Sequence, residues 1–239
     1  MKLFEVMSPP KQLKKGYSAA SVPYAFRSAS AGRHPYSLKH KGNLEYIGSG
    51  AFAQVYGHKN RPASAFKVGI GDTDYTYLQY IAKASQNERW KSNPYLPRVH
   101  SQKNYKDQGG GAAYVVELEK LEPFMDIEQE EVEAIIDKAF HSLPKDKYLN
   151  DLPRQYDVVK ALQRAAAGRS DAIKNIKDKQ LLQAIAIIGN IGKSQITIGK
   201  KTGPDARLNA AQYLDIHTSN VMIRRTPVGA QLVITDPLI

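Results

Sequence analysis

The chain has 239 residues, no cysteine and a formal charge of +11. Its composition, 42% hydrophobic and 24% charged, is globular, and the length suits one large domain or two small lobes. Disulfides, thiolate catalysis and cysteine zinc sites are excluded. No apolar run reaches the roughly 20 residues of a membrane helix.

In chain order, the opening "MKLFEVMSPPKQLKKG" is charged and lacks the apolar core of a secretory signal. Together with the lack of cysteine, this points to an intracellular protein with no membrane partner. Residues 1–42, rich in Ser, Ala, Pro, Tyr and Lys without a sustained period, are expected to form a partly loose N-terminal extension. A strand-rich lobe is expected over 43–118. "LEYIG", "AQVYGHK" and "ASAFKVGI" are short apolar segments separated by glycine or "NRP", as in an antiparallel meander. Helical spacing through Tyr77, Leu78, Ile81 and Ala82 predicts a helix over "DYTYLQYIAKASQNERW". Two more strands are expected in "YLPRVHSQKNY" and "AAYVVELEKL", around "DQGGG".

Residues 119–239 read as mainly helical. "DIEQEEVEAIIDKAFHSL" opens with an acidic turn, with Asp126 as the expected N-cap. Further helices are expected over 151–167 and 171–188, with a short one in "GPDARLNAAQYL" carrying Pro204 in its first turn. A hairpin, "VMIRR" to "AQLVIT", ends the series. The fold class is therefore α+β.

The positive charge favours acidic partners: nucleic acid, nucleotide or an acidic protein surface. It is spread over "LKKG", "LKHKG", "IKNIKDKQ" and "IGKKTG". Without a zinc-finger, RNP or helix-turn-helix signature, nucleic acid is not the favoured partner.

Two groups of residues carry the chemistry. In "IGSGAFAQVY", Gly48 and Gly50 permit close backbone approach, so that amide hydrogens can surround a phosphate. Phe52 and Val55 extend the spacing to GxGxFxxVY, and Lys67 follows inside the apolar run "SAFKVG". A lysine there must reach water or an anion; snorkelling at a sheet edge is the alternative. Near the C-terminus, "DIHTSN" sets Asp215 and Asn220 five residues apart, with His217 between them and Asp236 following in "ITDP". Each Asx residue could equally cap a helix or close a turn.

The order of glycine loop, lysine strand, D-x-x-x-x-N, hairpin and Asp resembles the eukaryotic-type protein-kinase superfamily. That resemblance implies a minimal bilobal protein-kinase-like fold. More closely, "GSGAFAQVY", "AFKVG", "YVVELEKL", "DIHTSNVMI" and "VITDP" resemble the early serine/threonine protein kinases of T7-like bacteriophages, over about residues 44–239. The resemblance implies ATP and Mg2+ as cofactors. Lys67 would meet the phosphates, Asp215 would accept the proton of the attacking hydroxyl, and Asn220 and Asp236 would bind the metal. Glu117, Leu118 and Glu119 would form a hinge offering backbone groups to adenine. The implied partners are host proteins, including transcription or translation machinery, in the host cytoplasm.

The sequence also departs from the pattern. Ala53 stands at the third-glycine position, Tyr213 and Leu214 replace the His and Arg of HRD, and Pro237 and Leu238 replace the Phe and Gly of DFG. The chain stops at Ile239, so the expectation is a truncated C-lobe. Glu88 is the candidate acidic partner of Lys67. His217, where Ser/Thr kinases usually carry Lys, resembles the loop of aminoglycoside and choline phosphotransferases; it would support Asp215 or touch phosphate, or else be an ordinary packed histidine. Two alternatives follow: a small-molecule phosphotransferase, and a pseudokinase-like protein that inhibits a host partner by binding.

Overall fold

The computed structural model describes residues 44–49, 53–70, 75–106, 112–145, 152–202 and 214–237. The expected extension over 1–42 and the expected helix at Pro204 lie outside these residues. The architecture is α+β, with an N-terminal β-sheet lobe and a C-terminal helical lobe. Its two compact units are residues up to Ser85 with Arg98–Lys120, and Gln86–Pro97 with residues from Leu121 onward.

The first unit is a five-stranded antiparallel sheet with one helix. Strands β1 (Leu44–Ser49), β2 (Ala53–His58) and β3 (Arg61–Ile70) form the meander, and β4 (Val99–Lys106) and β5 (Ala112–Glu119) complete the order β1-β2-β3-β5-β4. Apolar segments dominate because both faces are buried. Tyr56, Phe66 and Val68 lie on one face and Tyr114 and Val116 on the other. Burial pushes the Tyr56 phenol up, since it disfavours the phenolate.

Helix α1 (Tyr75–Gln86) buries Tyr77, Tyr80, Ile81 and Ala84, an i, i+3, i+4, i+7 stripe. The expected helix through Trp90 is interrupted at Asn87. This residue is extended, and its side chain accepts from the Arg89 N–H at 3.0 Å, opening the separate turn α2 (Glu88–Lys91).

Residues 95–97 were expected to begin a strand. Instead β4 starts at Val99, and 93–97 is bound into the second unit. Asn93 Nδ2 donates to the Gln180 carbonyl (2.9 Å) and the Ile234 N–H to the Tyr95 carbonyl (2.9 Å). The buried guanidinium of Arg224 donates to the carbonyls of Pro94 (2.7 Å) and Leu96 (3.0 Å). Backbone groups saturated by these partners are not available to a sheet.

The rest of the second unit contains β6 (Glu122–Pro123), a 3-10 turn over Phe124–Asp126, α3 (Gln129–Ala139), α4 (Arg154–Ala166), α5 (Ser170–Asn175) and α6 (Lys179–Thr202). A second 3-10 turn, Thr218–Asn220, leads into the hairpin β7 (Val221–Thr226) and β8 (Gly229–Ile234). Its sheet has the order β6-β7-β8. Asp126 is not the N-cap of α3. Ile127 is extended (φ −87°, ψ 153°) and buried, so the helix begins after Glu128.

The helix expected over 171–188 is two helices. Ile176 is extended and bridges to Phe140, and Asp178 restarts the chain by accepting from the N–H groups of Gln180 (2.7 Å) and Leu181 (3.1 Å). The other Asp178 oxygen accepts from the Tyr95 hydroxyl at 2.9 Å; burial first, then this carboxylate, pushes that phenol up. Helix α4 ends at Gly168 (φ +83°), whose N–H bonds to the Ala165 carbonyl while that of Arg169 reaches Arg164, a Schellman closure.

Arg224 therefore serves two main-chain carbonyls of residues 94–96 from a buried position. Replacing it by Met should lower the unfolding free energy by about 2–4 kcal/mol in urea titration, because buried carbonyls lose charged donors. Replacing its neighbour Arg225, half-exposed and paired with Glu122 and Glu131, should cost far less.

Candidate functional site

The lysine strand and the Asp-rich loop lie in different units, and each has its own geometry. In the first unit, antiparallel pairing aligns Gly48 with Val55, Val55 with Lys67 and Lys67 with Val116. Paired residues share a face, so Lys67 projects on the same side as the start of the glycine loop. β1 carries a bulge between Tyr46 and Gly48, which leaves Ile47 exposed and restores this alignment. A Cβ built on Gly48 would meet nothing within 4 Å, so the backbone there is open to approach. Gly50 and Phe52 lie outside the described residues.

Lys67 is buried, with Nζ 3.3 Å from the centroid of the Tyr77 ring. This is not edge-strand snorkelling, since β3 runs between β2 and β5. Glu88, the expected carboxylate partner, is exposed on α2 and accepts from Lys91 Nζ at 2.7 Å.

The residues expected to form a hinge lie in β5. Glu117, Leu118 and Glu119 are paired with Phe66, Ala65 and Ser64 of β3, while Glu117 and Leu118 are paired with Ser101 and Val99 of β4. Glu119 donates its N–H to the Arg98 carbonyl (3.0 Å) and accepts the Arg98 N–H on Oε1 (2.8 Å). Glu117 takes Arg61 (3.0 Å) and the Ser64 hydroxyl (3.0 Å). A strand flanked on both sides spends its backbone groups on the ladder, so 117–119 is interior sheet.

In the second unit the Asp-rich loop and the "ITDP" segment are joined at both ends. The Asp215 N–H donates to the Pro237 carbonyl (2.8 Å), and the Thr235 N–H donates to the Asn220 carbonyl (2.9 Å), which the Thr235 hydroxyl also reaches (3.1 Å). Asp236 lies in the chain between these two ties. Its Oδ1 is shielded from solvent.

Within the loop, Asn220 Nδ2 donates to the Asp215 carbonyl (2.7 Å) and to Asp215 Oδ2 (3.2 Å). The loop is thereby closed across the five-residue spacing read in the sequence. His217 is the N-cap of the Thr218–Asn220 turn: its Nδ1 accepts the Ser219 N–H (3.3 Å), with Ser219 Oγ at 2.7 Å. The other ring nitrogen, Nε2, lies on the Asp215 side. That nitrogen lies 3.3 Å from Asp215 Oδ2 and 3.0 Å from Asn220 Nδ2. His217 is thus aimed at Asp215 by a cap that the sequence did not reveal, because its signal is a ring nitrogen acting like an Asx oxygen.

The donor set fits magnesium. Among the described residues, no three His, Asp or Glu side chains form a metal cage of their own. An Asp carboxylate, with an Asn amide whose nitrogen is turned onto Asp215 to leave Oδ1 for coordination, suits a hard ion that keeps water and phosphate oxygens as its other ligands. A separate cleft of about 510 Å³, lined by residues including Leu143, Lys145, Lys160, Arg164 and Lys174, contains none of these residues.

No protein-family model and no curated protein matches the sequence. Among solved structures, the chain is similar to the kinase domain of PknI from M. tuberculosis. Identity is 13% and TM-score 0.33, over 82% of this chain and 58% of that one; a second structure of that domain gives 13%, 0.33, 82% and 59%. A Rad53 structure in complex with AMP-PNP is 15% identical at TM-score 0.34, covering 81% of this chain and 38% of that one. The chain thus spans less than two thirds of the length of each. Overlap at these scores establishes neither a common fold nor a common activity.

Thr235 ties the two segments through both backbone and hydroxyl. Thr235→Val keeps the branched side chain and removes the hydroxyl bond, and should lower stability by about 0.5–1.5 kcal/mol in urea titration.

Proposed function

We propose that the chain is an ATP- and Mg-dependent protein kinase that phosphorylates serine or threonine of host proteins in the host cytoplasm during phage infection. The observation that carries this reading is the double backbone tie that joins the segment of Asp236 to the loop of Asp215 and Asn220. Those three residues, in that order, are the ones the motif resemblance names. The resemblance to phage early kinases supports the finer part: the acceptor, the setting, and partners in transcription or translation. No helix among the described residues is long and apolar enough to cross a membrane.

Bound Mg2+ would supply neutralisation of the phosphoryl charge. Asn220 and Asp236 would hold it through oxygen. Asp215 orients the acceptor hydroxyl and takes its proton on a carboxylate whose backbone is pinned at both its N–H and its carbonyl. His217, with Nε2 3.3 Å from Oδ2, restrains the carboxylate rotamer. By the same resemblance Lys67, with Gly48, Gly50, Phe52 and Val55, would meet the phosphates.

The test is transfer of γ-labelled phosphate from Mg-ATP, with the protein alone and with bacterial lysate. Label should appear on protein Ser or Thr, and fall by about 10²–10⁴-fold in Asp215→Asn, the range for loss of a positioned base. Lys67→Ala should fall as well. Absence of label on any protein, with folding confirmed by circular dichroism, would overturn the protein-kinase reading. Transfer to a small acceptor instead would identify a small-molecule phosphotransferase.

A further inference from the structure

A buried ammonium needs a partner that offsets its desolvation. Of the described lysines and arginines, Lys67 and Arg224 are buried, and Arg224 is met by carbonyl oxygens. Lys67 has the Tyr77 ring face 3.3 Å from its Nζ, close enough for a strong cation–π contact with the negative face of the ring.

The ring is held from behind. Tyr77 and Tyr114 are both buried, with centroids 6.0 Å apart at 38°. Tyr114 pairs with Gly69, two residues along β3 from Lys67 and therefore on the same face. A Cβ on Gly69 would stand 2.5 Å from the Tyr114 hydroxyl oxygen and 2.6 Å from its Cζ. Only glycine lets the Tyr114 ring lie over the strand there. Gly69, Tyr114, Tyr77 and Lys67 form one continuous contact chain inside the first unit.

We propose that Tyr77 is the positioning residue for Lys67: its ring face, backed by Tyr114 over Gly69, sets where the ammonium stands. The assignment of that ammonium to nucleotide phosphate rests on the proposed function; the holding of it does not. A neutral ring differs from a carboxylate in one useful respect. It orients the ammonium without itself cancelling the charge.

The experiment is NMR of the full-length protein with lysine labelled with ¹³C at the ε carbon, the Lys67 signal being identified by its loss in Lys67→Arg. That signal should be displaced upfield by the ring current, keep its displacement in Tyr77→Phe and lose it in Tyr77→Leu. Gly69→Ala, which pushes on Tyr114, should reduce it. Mg-ATP binding should weaken about 2- to 30-fold in Tyr77→Leu, the range of a cation–π contact, and be rescued by Phe. An undisplaced Lys67 signal in the wild-type protein, or an unchanged one in Tyr77→Leu, would overturn the proposal. If the leucine variant does not fold, an unchanged signal in Gly69→Ala overturns it instead. A correctly behaving Lys67 signal that Mg-ATP does not move would sink the kinase reading and leave the role of Tyr77 standing.

Discussion

The register of the β7–β8 hairpin is the constraint on which the candidate site depends. Val221 pairs with Ile234 and Thr226 with Gly229, so the residues just outside the last rung, Asn220 and Thr235, must meet. Their bond, and the tie from Asp215 to Pro237, continue the hairpin beyond its strands. Val221, Ile223, Leu232 and Ile234 are buried on one face, and a slip by one residue would move them to the other, where Arg224 and Gln231 are buried instead. It would also break the bond from Thr235 to Asn220. The hydrophobic effect acting on the strands thus sets a bond that lies outside them.

The same hairpin orders a remote segment. Arg224 on β7 and the Ile234 N–H on β8 bind residues 94–96, while Asn93 and Tyr95 reach α6 through Gln180 and Asp178. A short stretch between a helix and a strand of the first unit is therefore part of the second. The polar side chains responsible are buried and satisfied, which is how a core tolerates them and gains direction from them.

The two buried cations illustrate different solutions to one problem. Arg224 presents a planar fork of donors, and carbonyl oxygens complement it, giving a fixed structural link. Lys67 is a point charge on a flexible stem, and an aromatic face lies against it.

Much of the strand pattern was legible: alternating apolar segments bounded by glycine or Asn-Arg-Pro mark β1 to β3, and the Asp215–Asn220 spacing marks a closed loop. Breaks within helices were not. Asn87 and Asp178 read as ordinary helical or surface residues, yet each side chain captures backbone N–H groups and restarts a helix. Asp126 looked like a cap, but burial of Phe124 and Ile127 moved the helix start to Glu128. That 117–119 stand in β5 between two strands was not legible, because an apolar strand with acidic residues reads the same at an edge as in the middle of a sheet. Local sequence alone determined the periodicity, the turn residues and the chemical types available at the site, since these depend on neighbours along the chain. Which carbonyls Arg224 serves, which ring Lys67 rests on and which nitrogen His217 aims at Asp215 were decided by tertiary structure. Those contacts join positions that only folding brings together.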